Sequence, residues 1–210
     1  MATAPDDTCA QVLQRGLDDL WATSPTAFPG PATPPGSSGL TPESSSRLAA
    51  GLPVREALGP TDVAYLPTGS PTAPTAPPTT PPAAGDAVRT VDATDPLVPE
   101  LLAACSAVDA AEAALDSLAS PAFVLLREGT ALAVAGYELW PSGIAHLCVL
   151  THPAARGTGL ARIVASAATD HALRAGLLPQ WRARPLASRR VAYALGYRSL
   201  GHQVSLRLAV

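Results

Sequence analysis

The chain contains no lysine; all 14 of its positive side chains are arginine. That excludes every mechanism needing a lysine amine, from a Schiff base to a phosphate-loop lysine. The alanine- and proline-rich composition offers the bland explanation, a G+C-rich coding sequence. Cysteine is scarce too: the 3 residues Cys9, Cys105 and Cys148 are far apart, odd in number and without a C-x-x-C pair. They suit neither a disulfide framework nor structural zinc, so a reduced, cytoplasmic chain without a metal is expected. Aromatic residues are only 4% of the chain and interleave with no arginine run, which argues against nucleic acid as a partner. No apolar run approaches the roughly 20 residues of a membrane span. The opening MATAPDDTCAQ lacks a basic stretch followed by an apolar one. No secretory signal and no membrane association are therefore expected.

What is present is a chain of 210 residues, 47% of them apolar, which rules out wholesale disorder and suits one domain, with or without an appendage. The net charge of −3 hides a split: residues 1–116 carry 4 arginines against 14 carboxylates, and residues 117–210 carry 10 against 3. A basic C-terminal part points to an anionic partner, and the lack of aromatics favours a small polyanion.

Proline divides the chain. Of 23 prolines, 15 lie between Ser24 and Gly85, and Pro67–Pro82 reads PTGSPTAPTAPPTTPP. Such a tract favours solvated polyproline II, so residues 67–85 are expected to be a linker. Arginines that would mark it as an SH3-type ligand are missing from its flanks. An interaction module remains one reading of it. Ahead of it, residues 1–66 form a small segment expected to dock on the main domain. Val12, Leu13, Leu17, Leu20 and Trp21 recur at helical spacing within Asp7–Thr23. Leu52–Leu66 is expected to give a short helix and a strand ending Val63-Ala64-Tyr65-Leu66.

Residues 86–210 carry stronger signals. Ala87–Val91 reads as a strand, and Asp95-Pro96 opens a helix expected to run to about Asp116. Ala122–Arg127 and Ala131–Trp140 are predicted strands joined at Glu128-Gly129, and Ile144–Thr151 follows a Pro141-Ser142-Gly143 turn. A helix from Leu160 to before Gly176, a strand Leu178–Arg184, a helix Ala187–Leu195 and a strand Tyr197–Ala209 complete the order β-α-β-β-β-α-β-α-β.

The stretch Leu147–Ala161, LCVLTHPAARGTGLA, carries chemistry. A strand runs into Arg156-Gly157-Thr158-Gly159, and a helix starts at once. Unpaired N–H groups at a helix start suit a phosphate or pyrophosphate, and glycines let the backbone approach it. Thr158 could add a hydroxyl donor. A phosphate loop of the Walker type fails for want of lysine. A Gly-x-Gly-x-x-Gly dinucleotide fingerprint fails because Arg162 stands at its last glycine.

Arg156, Gly159 and Ala161 satisfy Gln/Arg-x-x-Gly-x-Gly/Ala, and Pro153 stands three residues ahead. With Ala187-Ser188, Ala192 and Leu195-Gly196-Tyr197 near the end, the segment from Asp86 onward resembles the GNAT (GCN5-related) N-acetyltransferase superfamily. The resemblance implies an α/β (α+β) fold with a central mixed sheet flanked by helices, here behind a proline-rich N-terminal extension. It implies acetyl-CoA between two splayed strands, Ile144–Thr151 and Leu178–Arg184. The pantetheine arm would contact Cys148, Val149, Leu150 and Thr151. The pyrophosphate would sit on Arg156, Gly157, Thr158, Gly159, Leu160 and Ala161. A primary amine, on a small molecule or a protein, would take the acetyl group, and a monomer or homodimer is expected.

The sequence departs from that family where the leaving thiolate is protonated: Ala192 occupies the usual tyrosine position, and Pro185 replaces a frequent asparagine. Thiolate protonation would come from water or from Ser188, or would not be needed. For a general base, His146 on the central strand is the candidate, one residue out of the usual register. His171 and His202 read as packing or surface residues, and Cys148 as a small buried apolar one. Arg182, Arg184, Arg189 and Arg190 form a charge cluster that reads equally as a solvated face or an anion contact. Two functions stay open: an acetyl-CoA-dependent N-acetyltransferase, or a non-catalytic acyl-CoA-binding domain with a regulatory or scaffolding role.

Overall fold

The computed structural model describes residues 54–66 and 87–208. The helix expected at Asp7–Thr23 and the linker at residues 67–85 lie outside them. In chain order the elements are β1 (Val54–Tyr65), β2 (Ala87–Val91), α1 (Leu97–Ala103), α2 (Ala107–Ala113), β3 (Ala122–Arg127), β4 (Thr130–Trp140), β5 (Ile144–Thr151), α3 (Leu160–Arg174), β6 (Leu178–Ala183), α4 (Leu186–Ala194) and β7 (Arg198–Leu208). The strands form one mixed sheet in the order β2-β3-β4-β5-β6-β1-β7. β2 to β5 are an antiparallel meander, and β5 and β6 pair in parallel across the α3 crossover. The chain divides into two compact units, residues 63–200 and residues 1–62 with 201–210. β1 and β7 each run from one unit into the other.

Local chemistry explains most boundaries. The β3–β4 turn puts Glu128 and Gly129 at φ 51° and 81°, the left-handed pair that a two-residue hairpin needs. Mid-sheet strands are apolar on both faces because both are covered. On one face Phe123, Leu125, Ala133, Ala135 and Leu147 pack against Val164 and Ala168 of α3 and Ala192 of α4. On the other, Val124, Val134, Cys148 and Leu150 pack against Val98 and Leu101 of α1. In the smaller unit Glu56 pairs with Arg207 at 3.0 Å. A Cβ on Gly59, at φ 130°, would fall 2.7 Å from the Gln203 carbonyl oxygen, so only glycine fits there.

Two expectations are corrected. Leu52–Leu66 contains no helix among its described residues; Val54–Tyr65 is one strand. The helix expected from Asp95 to Asp116 is broken into α1 and α2. Asp95 does cap its start, its Oδ1 accepting from the Leu97 N–H at 3.0 Å. Ser106, however, is extended at ψ 151° and its Oγ accepts from the Asp109 N–H, so it caps a new helix. Ala114, at φ 48°, ends that helix. No helix among the described residues is long and apolar enough to cross a membrane.

Candidate functional site

β5 and β6 are in register at only three positions: Ile144 with Leu178, Ala145 with Pro179 and His146 with Gln180. Past His146 the two strands part, while β5 stays paired to β4 as far as Thr151 opposite Ala133. The edge of β5 from Leu147 to Thr151 therefore faces a widening gap. Cys148, Val149, Leu150 and Thr151 all lie along it. An extended arm laid in such a gap can pair with a free strand edge like an added strand. Cys148 itself is packing: its thiol is buried against the α1 face and donates to the His146 carbonyl at 3.6 Å. Burial pushes the thiol up to about 12, which keeps it protonated and inert.

The loop after β5 is organised around its backbone. His152 Nδ1 accepts from the Ala154 N–H at 3.2 Å, setting a single 3₁₀ turn over Pro153–Ala155. Gly157 and Gly159 then take φ of 80° and 86°, and Gly159 is the N-cap of α3. Among the turn and loop hydrogen bonds of the described residues, none is donated by the N–H of Gly157, Thr158 or Gly159, and Leu160 and Ala161 open α3, where a helix offers its first N–H groups no carbonyl. A Cβ on Gly157 would meet nothing within 4 Å, so the space above the loop is open. Leu160 anchors the first turn in the core while Ala161 is half-buried. This is a row of donors at the positive end of a 15-residue helix.

Two side chains of the loop are committed elsewhere. Thr158 Oγ1 donates to the Ala155 carbonyl at 2.6 Å, so the hydroxyl closes the loop on itself and the expected hydroxyl donor to an anion is not there. Arg156 Nε donates to the Thr151 carbonyl at 3.4 Å, and its NH2 group pairs with Asp109 of α2 at 3.1 Å. Hydrogen bonds from Ser106 and Arg156 hold the Asp109 carboxyl below its usual range. One turn on, Glu112 pairs with Arg184, just beyond the end of β6. α2 is thus tied to both arms of the gap, through carboxylates three residues apart on one helix face.

At the closed end of the gap lies a polar row that sequence reasoning did not assemble. Glu138 of β4, His146 of β5 and Gln180 of β6 are register neighbours on the α1/α2 face. Tyr65 of β1 extends the row, its hydroxyl hydrogen-bonded to Gln180 Nε2. His146 stacks on Trp140 with centroids 4.7 Å apart, and the Arg182 guanidinium lies 4.9 Å from the centre of the same indole ring. Burial, reinforced by the Arg182 charge and opposed by Glu138, lowers His146 to about 4. Its imidazole is neutral at pH 7, and its Nδ1 is buried without a partner. Gln180, 5% exposed, leaves Oε1 without one, as does Arg182 at Nε. The only sequence signal was the alternation of 138, 146, 180 and 182 as polar positions in otherwise apolar strands.

The remaining expected residues scatter. Ala192 is buried on the core side of α4, and Tyr193 next to it is 42% exposed. Ser188 Oγ accepts from Trp181 Nε1 at 3.0 Å. Arg189 donates to the Ala183 carbonyl at 3.2 Å. His171 meets the Tyr137 hydroxyl at 3.0 Å through Nδ1 and packs on Phe123, a structural role. No group of three or more His, Cys, Asp or Glu side chains suited to a metal occurs among the described residues.

Comparison with known proteins agrees with this architecture. Residues 122–202 match the GNAT acetyltransferase family. No curated protein matches the sequence. Among solved structures, a GNAT-family acetyltransferase from Colwellia psychrerythraea superposes with a TM-score of 0.52 at 15% identity, over 78% of this chain and 61% of that one. A GNAT-family protein from Novosphingobium aromaticivorans gives 0.52 at 19% identity, over 75% and 66%. The chain thus spans less than two thirds of either protein, and at these identities the likeness is one of fold.

Proposed function

The chain carries a domain of the GNAT superfamily, and from that premise we propose that it is an acetyl-CoA-dependent N-acetyltransferase acting on a primary amine in a ternary complex. The observation that carries the reading is the parting of β5 and β6 after His146–Gln180, directly ahead of a glycine-capped helix. Acetyl-CoA would supply a thioester carbonyl. The N–H groups of 157–161 would hold its diphosphate, and the β5 edge over Cys148–Thr151 would hold its pantetheine arm. The basic half of the sequence then has its anion.

In the reaction the amine nitrogen attacks the thioester carbon, the C–S bond breaks, and the amine's proton leaves as the thiolate gains one. Fixed backbone donors and strand edges contribute mostly by positioning, which is where such a transfer gains most of its rate. His146 lies at the closed end of the gap. Being neutral, it can accept a proton from the amine only after attack has made that nitrogen strongly acidic, so it serves as an acceptor at the tetrahedral stage and not as a base toward free ammonium. Ser188 keeps its own hydrogen while accepting from Trp181, and is the one hydroxyl on α4 one turn before the Ala192 site.

Ala192 and the low basicity of His146 also fit the alternative, an acyl-CoA-binding domain without turnover. Acetyl-CoA-dependent thiol release over a panel of amines, run beside calorimetry with acetyl-CoA, separates them. Turnover with any primary amine supports the enzyme. Binding without turnover leaves the alternative, and no binding removes both.

A further inference from the structure

The polar row at the closed end of the gap has specific unmet requirements. Gln180 is almost wholly buried, one end of its amide held by Tyr65 and Oε1 left free. His146 Nδ1 is free beside it, and Glu138 stands on its other side in register. Burying such atoms unpaired is costly, so an arrangement that leaves two of them side by side is suited to a partner that completes it. Arg182 adds a cation over Trp140, its Nε also unpartnered. Its nearest carboxylate neighbours are otherwise engaged or offset: Glu112 belongs to Arg184, and no ion pair joins Arg182 to Glu138 among the described residues.

An occupant that satisfies all of these must bring N–H donors to Gln180 and His146, with Glu138 favouring positive charge there. It must bring an anion to Arg182 within a few ångströms of those donors. Coenzyme phosphate does not fit this position. His146 is five residues from Thr151 along an extended strand, about 16 Å at strand rise, and the glycine loop follows only after Thr151. A polyamine or the side-chain amine of a protein lysine brings donors and no adjacent anion.

We propose that the acyl acceptor is a small amino-carboxylate, its amine held in the Glu138–His146–Gln180 row and its carboxylate on Arg182. This rests on the acetyl-transfer reading for the chemistry, but the binding claim stands apart from turnover. The amine faces the closed end of the gap, so the new N–C bond forms where the thioester would end. The bound ammonium first gives one proton to water, the neutral amine attacks, the C–S bond breaks, a second nitrogen proton passes to His146 or water, and the thiolate takes up one proton.

The test uses the full chain with saturating CoA or acetyl-CoA. Free amino acids are titrated by calorimetry against their methyl esters and the matching decarboxylated amines, with thiol release measured on the same panel. Esterification or decarboxylation is expected to weaken Kd, and KM where turnover occurs, by about tenfold or more, the worth of a charge-assisted contact. Arg182→Gln is expected to erase the preference for acid over ester while acetyl-CoA affinity stays unchanged. Amino-carboxylate binding that needs the carboxylate supports the proposal even if no amine turns over, an outcome that removes only the acetyltransferase reading. Equal binding of acid and ester by the unaltered protein, or no binding of any amino-carboxylate, overturns it. So does an Arg182→Gln chain that folds, binds acetyl-CoA and still prefers the acid.

Discussion

His146 shows how far a single side chain's environment changes its chemistry. Burial and the Arg182 charge lower it to about 4, against about 6.5 in an unfolded chain. Between those values the unfolded chain holds a proton that the folded one lacks. Stability therefore falls as pH drops from about 6.5 to about 4 and levels off below, by up to about 3 kcal/mol. His146→Gln should flatten this part of the stability profile; thermal melts at steps from pH 7 to 4 check it, and an unchanged slope would place the proton uptake elsewhere. Under the acetyltransferase reading, the kcat/KM profile should show no limb near 6.5 from this residue. Gly159 is the second residue-scale case. At φ 86° it caps α3 where any L side chain is strained, at a cost of about 1–2 kcal/mol. Gly159→Trp should also block the donors of the first turn and weaken acetyl-CoA binding by more than about tenfold. Calorimetry on the folded variant reads this, and undiminished affinity would move the diphosphate off the loop.

At the scale of elements, what could be read in the sequence depended on whether the cause was local. Every strand from Ala87 onward and the helices α3 and α4 were legible, because apolar spacing, Gly-containing turns and the Arg156–Ala161 loop act within a few residues of themselves. The break between α1 and α2 was written there as well. Ser106 with Asp109 three residues on is a capping pair, hidden inside a continuous alanine-rich run that favours helix on composition alone. Ser106→Ala should cost about 1 kcal/mol, the worth of such a cap, in urea unfolding. It should loosen α2 first in amide exchange; a loss shared evenly with the sheet would mean that the cap does not define the helix. The two ties of α2, Asp109 to Arg156 and Glu112 to Arg184, involve partly exposed partners. Both should add little to stability and fade with salt. The polar row was not legible. Its members are 115 residues apart at the extreme, between Tyr65 and Gln180, and only strand register brings them together.

The same distinction governs the whole molecule. Nothing local in Val54–Tyr65 says which strands it joins, and the residues between it and β2 are the proline-rich stretch expected to be a linker. Yet its place in the sheet is internal, between β6 and β7. A segment ahead of that stretch therefore occupies a position the sheet cannot leave empty without exposing two strand edges with unpaired N–H and C=O groups. It also brings Tyr65 to the end of the polar row. The strand Val54–Tyr65 and the strands from Ala87 onward are therefore expected to unfold together, and not as a domain with a dispensable appendage. A chain starting at residue 86 should then fail to give a single cooperative melt and should aggregate through the β6 and β7 edges. Removing residues 67–82 internally should be far milder so long as the remaining residues still span from β1 to β2, since the entropy of closing a connection changes only slowly with its length. Circular dichroism melts and sedimentation of the two variants decide it. A soluble, cooperatively melting 86–210 fragment would restore the appendage view, and would leave the Gln180 amide without its tyrosine.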